Sequence, residues 1–84
     1  MRSKRELIIR IDMMIRMKNT GTADEFAKKL EISRSSLFEI LKEMKDTLNA
    51  PIIYNSPLKR YEYTIEGQIF LEFLSYKELV RYAH

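Results

Sequence analysis

Arg34, Ser35 and Ser36 stand together, Lys42 lies further along the same segment, and Lys59-Arg60 form a second basic pair. A guanidinium is a planar fork of donors that fits a carboxylate, a phosphate or the edge of a guanine. Serine hydroxyls are short and both donate and accept. Ammonium groups neutralise phosphates without reading sequence. This set suits binding, not bond breaking. His84 is the one histidine and the last residue, there is no cysteine, and there are only two glycines. No metal-ligand cluster, nucleophile–base pair or glycine-rich phosphate loop can be assembled from such residues. The expectation is therefore a protein that is not an enzyme and carries no cofactor and no metal.

The binding residues must be held by something. Eighty-four residues make one domain, and 45% hydrophobic content suits a folded chain. Absence of cysteine fits a reducing cytoplasm. The longest apolar runs are a few residues, so no membrane span is expected. Glu6, Arg10 and Asp12 interrupt the N-terminal apolar stretch, so it is not expected to act as a signal peptide. The formal charge is +3. Residues 1–34 hold nine Lys/Arg against five Asp/Glu, and residues 35–84 hold six against seven. The basic excess lies N-terminal to the segment that begins at Ser33.

Ser3-Lys4-Arg5-Glu6 is a capping-box pattern, and a first helix follows to about Lys18. Leu7, Ile8, Ile11, Met14, Ile15 and Lys18 recur along one face of it, and Asn19-Thr20-Gly21 ends it, with Gly21 free to take positive φ. Thr22 to Glu25 is a second capping box, and Phe26, Ala27 and Leu30 form the inward stripe of a short helix. Glu31-Ile32 makes a turn. Ser33 caps a third helix whose stripe is Leu37, Ile40, Leu41, Met44 and Leu48. Its opposite face carries Ser35, Glu39, Lys42 and Asp46, flanked by Phe38 and Lys45. Asn49-Ala50-Pro51 stops it. Residues 52–55 and 60–65 read as two strands joined by Ser56-Pro57-Leu58-Lys59, a hairpin with Lys59 and Arg60 near its tip. Residues 68–74 fit either a third strand or the start of a helix. A capping-box pattern at Ser75 to Glu78 favours a strand followed by a short helix towards His84. The fold class is α+β, with the helix pair at 22–48, the hairpin at 52–65 and a C-terminal extension at 67–84.

Three helices followed by a basic-tipped hairpin is the order of a winged helix. Ala27 stands at the small position where two helices cross, Ile32 at the apolar turn position, Ser33 at the cap, and Leu37 and Ile40 at inward positions. With the segment APIIYNSPLKRYEYT, this resembles the winged helix-turn-helix domain at the N-terminus of DeoR-like, WYL-type and biotin-repressor-like bacterial regulators. The resemblance covers about residues 4–66. It departs at Glu31, where that pattern has Gly, and in lacking a sensor or catalytic domain within these residues.

The resemblance implies sequence-specific binding of double-stranded DNA and a role in transcription regulation. On this reading the third helix (33–48) enters the major groove. Ser33, Arg34, Ser35 and Ser36 are its leading edge. Phe38, Glu39 and Lys42 follow, with Phe38 able to touch a thymine methyl and Glu39 able to accept from a cytosine amino group. Lys28 and Lys29 meet flanking backbone, and Lys59 and Arg60 meet phosphates or the minor groove. Each of these charges also suits an ordinary solvated surface. Glu39, Glu43 and Asp46 oppose a long groove contact, which leaves the front half of the helix. A homodimer is expected, with Ile69–Tyr82 as the candidate seam and packing within its own domain as the alternative. Met13, Met14 and Met17 suit core or dimer seam better than a ligand site. The competing reading is a winged-helix module that binds protein and not DNA.

Overall fold

Each helix starts at a hydroxyl that satisfies an amide otherwise left without a partner. A computed structural model describes residues 3–64 of the chain. They form α1 (Lys4–Arg16), α2 (Ala23–Leu30), α3 (Arg34–Thr47), β1 (Ile52–Asn55) and β2 (Arg60–Tyr63). Ser3 accepts from the Glu6 amide, Thr22 from Glu25 and Ser33 from Ser36. At Thr22 the box is reciprocal, because Glu25 Oε1 also accepts from the Thr22 amide at 2.8 Å. Gly21 sits directly against this box at φ 70°. A Cβ there would meet the Glu25 carboxylate at 2.5 Å, so the position needs glycine for space as well as for φ.

The helix ends are less ordinary. Lys18, Glu31 and Asn49 all take the left-handed conformation. Lys18 donates to the Ile15 carbonyl and Asn19 to Met14, while Glu31 donates to Lys28 and Ile32 to Ala27. Both sets are Schellman closures. The first helix therefore stops at Arg16, short of the expected Lys18, and the left-handed residue that closes it is Lys18, while Gly21 takes positive φ as expected, further along the connection. Lys18 consequently leaves the apolar stripe and is exposed. Asn49 behaves as its side chain predicts, and the Ala50 amide turns back to the Met44 carbonyl.

The stripes converge on one core. Leu7, Ile8, Ile11 and Ile15 of α1 pack with Phe26, Ala27 and Leu30 of α2 and with Leu37, Ile40, Leu41 and Met44 of α3. Leu48, Ala50, Ile52 and Tyr61 close it from the hairpin side, and Met14 and Ile32 pack against its margin. Met13 and Met17 are exposed. β1 and β2 pair antiparallel, Ile52 with Tyr63 and Asn55 with Arg60. The loop between them folds on the Ser56 carbonyl, which accepts from the Lys59 amide, and on Asn55 Oδ1, which accepts from the Leu58 amide.

The outer edge of β2 does not meet a third strand among the described residues at Tyr61. Its amide donates instead to Thr20 Oγ1 at 2.8 Å, and Thr20 is fully buried in the connection between α1 and α2. This arrangement of helices and hairpin is α+β and compatible with a winged helix. No helix among the described residues is long and apolar enough to cross a membrane. Ile65, the strand or helix at 68–74, the helix from Ser75 and the candidate seam all lie outside the described residues.

Candidate nucleic-acid interface

The geometry at the front of α3 follows from its cap. Ser33 Oγ accepts from the Ser36 amide at 3.0 Å and donates to Ser36 Oγ at 2.9 Å. Ser33 and Ser36 thus hold each other, and Ser36 is half-buried. The Ser33 hydroxyl both accepts and donates in forming the turn, and Ser36 Oγ accepts from it. Ser35 points along the exposed face with Glu39, Lys42 and Asp46, as the helical wheel requires.

Arg34 is the first residue of α3. Its Nη1 lies 3.5 Å from Asp24 Oδ1 at the start of α2. Its guanidinium carbon stands 5.3 Å from the centroid of the Phe38 ring, one turn further on. Both partners of the ion pair are well exposed, which makes it a weak contact energetically and an orienting one geometrically. Phe38 is 41% exposed. Arg34 and Phe38 line a groove of about 350 Å³ with Thr22, Asp24, Tyr54 and Tyr61. The hairpin supplies one wall of it. The Tyr54 and Tyr61 rings meet edge-to-face at 5.0 Å, and Tyr61 reaches Phe26 in the core at 5.6 Å. Burial pushes the Tyr61 hydroxyl above its ordinary pKa, with the Tyr54 charge adding to it.

The remaining expected residues separate into two groups. Lys28 and Lys59 are exposed. Lys59 occupies the hairpin tip at φ 53°. The Glu25 carboxyl is held below its usual range first by the Thr22 amide and hydroxyl and then by the charges of Lys29 and Lys59, so the tip lies within electrostatic reach of the start of α2. Lys29 and Arg60 are committed elsewhere. Lys29 Nζ donates to the Asn19 carbonyl and to Asn19 Oδ1. Arg60 lies in β2 and not at the tip, and its Nε donates to Glu62 Oε2 at 2.7 Å while Asn55 donates to Glu62 Oε1. Those two bonds, Asn55 first, hold the Glu62 carboxyl below its usual range. Glu43 pairs with Lys4 of α1 at 2.9 Å and so turns away from the exposed face. Of the carboxylates expected to oppose a groove contact, only Glu39 and Asp46 remain on that face. The other flank of α3 borders a broad depression of about 840 Å³ between Leu7 of α1, the turn at Glu31 and Ile32, and Ile40.

Sequence reasoning missed the contacts that fix the hairpin to the helices. Asp12 is buried on α1, where its Oδ2 accepts from Arg16 Nε at 2.9 Å and its Oδ1 accepts from the Tyr63 hydroxyl at 2.6 Å. Burial and then the Asp12 bond push the Tyr63 hydroxyl far above its ordinary pKa. Arg16 Nη2 is buried and makes no hydrogen bond among the described residues. The signal was present: Asp12 lies four residues after Ile8 and before Arg16, at the edge of the apolar stripe. Asp24 was likewise read only as part of the capping-box segment at the start of α2, although it reaches across to Arg34. No protein-family model, curated protein or solved structure matches the chain.

Proposed function

We propose that the chain is a winged-helix protein that binds double-stranded DNA in a sequence-specific manner, as a small transcriptional regulator of bacterial type acting in the cytoplasm by occupying its site. In this reading α3 is the recognition helix and the hairpin is the wing. One observation carries it: the exposed face of α3 holds Arg34 and Ser35 in its first turn and Lys42 further along, and Tyr54 and Tyr61 of the hairpin line a groove with Arg34 and Phe38. The major groove admits one helix, and a second basic element beside it supplies backbone contacts. Ser33 and Ser36 contribute by shaping the turn, and Arg60 by shaping the hairpin. A homodimer fits this role, since two half-sites multiply affinity and selectivity.

The test is enrichment of duplexes from a randomised pool, followed by titration of the winner at several salt concentrations. Lys28, Lys42, Lys45 and Lys59 are exposed ammonium groups that can meet phosphates. Neutralising three or four phosphates gives a slope of log affinity against log salt of roughly −2.7 to −3.6. Absence of enrichment, or binding indifferent to salt, refutes the reading. Glu39 and Asp46 on the same face favour a second reading, a winged-helix module that binds protein. Replacing Arg34 and Lys42 together by Ala separates the two: DNA binding falls with the fold retained under the first, and protein capture is unchanged under the second.

A further inference from the structure

We propose that Asp24, Arg34 and Phe38 form one reading unit for a guanine next to a thymine, Arg34 taking the guanine and Phe38 the thymine methyl. This rests on the reading of α3 as the recognition helix, and it adds which bases the leading turn selects. Two contacts hold the Arg34 guanidinium: Asp24 on α2 engages Nη1 at 3.5 Å, and the Phe38 ring lies under its central carbon at 5.3 Å. With Nη1 engaged, the Nε and Nη2 hydrogens form the other edge of the fork. That pair of parallel donors matches guanine O6 and N7. A side chain held in this way loses less rotamer freedom on binding. Asp24 is a positioning residue here, since its carboxylate would repel phosphate if it faced the backbone.

Phe38 supplies the second half. Its ring is 41% exposed at the mouth of a groove walled by Tyr54 and Tyr61. Thymine is the unmodified base that presents a methyl group in the major groove, and an apolar side chain is its natural contact. Base pairs stack ~3.4 Å apart along the axis. A separation of 5.3 Å between guanidinium and ring therefore spans neighbouring pairs, not pairs several steps apart. The exposed aromatic ring both supports the arginine and faces the adjacent base.

The experiment uses the full chain and the duplex enriched from a randomised pool. Enriched sites are expected to contain a guanine–thymine neighbour pair. Replacing that thymine with deoxyuridine, which lacks only the methyl, weakens wild-type binding about fourfold. Replacing the guanine with 7-deazaguanine weakens it roughly tenfold. Phe38→Ala, a substitution at an exposed position, becomes indifferent to the methyl and stays sensitive to the guanine. Asp24→Asn raises affinity for unrelated duplex, because a negative charge is gone, while it lowers discrimination at the guanine. Enriched sites without the step, or equal wild-type binding to thymine and deoxyuridine, overturn this inference and leave DNA binding standing. No enriched duplex at all overturns both.

Discussion

Tyr63→Phe removes one oxygen atom and tests how the hairpin is fixed to the helices. The Tyr63 hydroxyl donates at 2.6 Å to Asp12 Oδ1, and Asp12 is 6% exposed. A hydrogen bond to a buried charged acceptor contributes about 1.5–3 kcal/mol, and the acceptor left behind keeps its desolvation cost. Asp12 retains Arg16 at 2.9 Å, so the carboxylate is not orphaned. The expected loss is therefore about 2 kcal/mol, which for a domain of this size lowers the melting temperature by roughly 8–16 °C. Asp12→Ala goes further, because it also strands the Arg16 guanidinium, whose Nη2 is already buried. Its expected cost is about 3–5 kcal/mol. Urea unfolding followed by circular dichroism gives both values. The double variant should cost less than the sum of the two single variants, since both remove the same bond. A Tyr63→Phe protein within about 0.5 kcal/mol of wild type, or costs that simply add, would show that this bond does not fasten the hairpin.

Three further outcomes follow from the same contacts. Tyr63 and Tyr61 both have raised pKa values in the folded chain, so their contribution is complete below pH 10 and declines as pH rises through the folded values. Stability should fall above about pH 10 by up to ~1.4 kcal/mol per pH unit through Tyr63, with Tyr61 acting in the same direction, and the wild-type curve should lose one proton's worth of slope in Tyr63→Phe. Glu31→Gly relieves a left-handed residue at φ 59° and should raise unfolding free energy by about 1 kcal/mol in the same assay. Lys59→Ala should reduce the salt slope of DNA affinity by about one without altering stability, whereas Arg60→Ala should leave the slope unchanged and cost up to about 1 kcal/mol through the lost Glu62 pair.

The helices were legible in the sequence because their signals are local. Ser3, Thr22 and Ser33 each meet an amide three residues on, within reach of a single turn. The stripe from Leu37 to Leu48 is periodic over most of α3, so its burial follows from geometry alone. The hairpin was legible from Pro57 and the aromatic, β-branched residues around it. What stayed hidden joins residues far apart: Asp12 to Tyr63, Thr20 to Tyr61 and Asp24 to Arg34. Each pair also uses a residue that local reading assigns to a different task, such as Asp24 to the capping segment of α2. The end of α1 failed for another reason. Gly21 does take positive φ, yet Lys18 closes the helix in that conformation three positions earlier, because closing the chain onto Met14 and Ile15 satisfies two carbonyls there.

These hidden pairs bear on function as much as on stability. The candidate face combines side chains from α2, α3 and the hairpin, and hydrogen bonds from outside α3 help to fix the hairpin beside it. Thr20 and Asp12 do so from the first connection and the first helix, one by accepting the Tyr61 amide and the other the Tyr63 hydroxyl. Tyr61 then carries that placement into the groove through its contact with Tyr54. A change at Asp12 therefore alters where Lys59 and Tyr54 stand relative to Arg34 without touching any of them. Under the DNA reading, Tyr63→Phe assayed well below its melting temperature should keep the guanine preference set by Asp24, Arg34 and Phe38 within α2 and α3. It should weaken overall affinity by the share that the wing contributes. A variant that lost base preference and kept affinity would show instead that the hairpin positions the reading turn, and that α2 and α3 do not suffice to hold it.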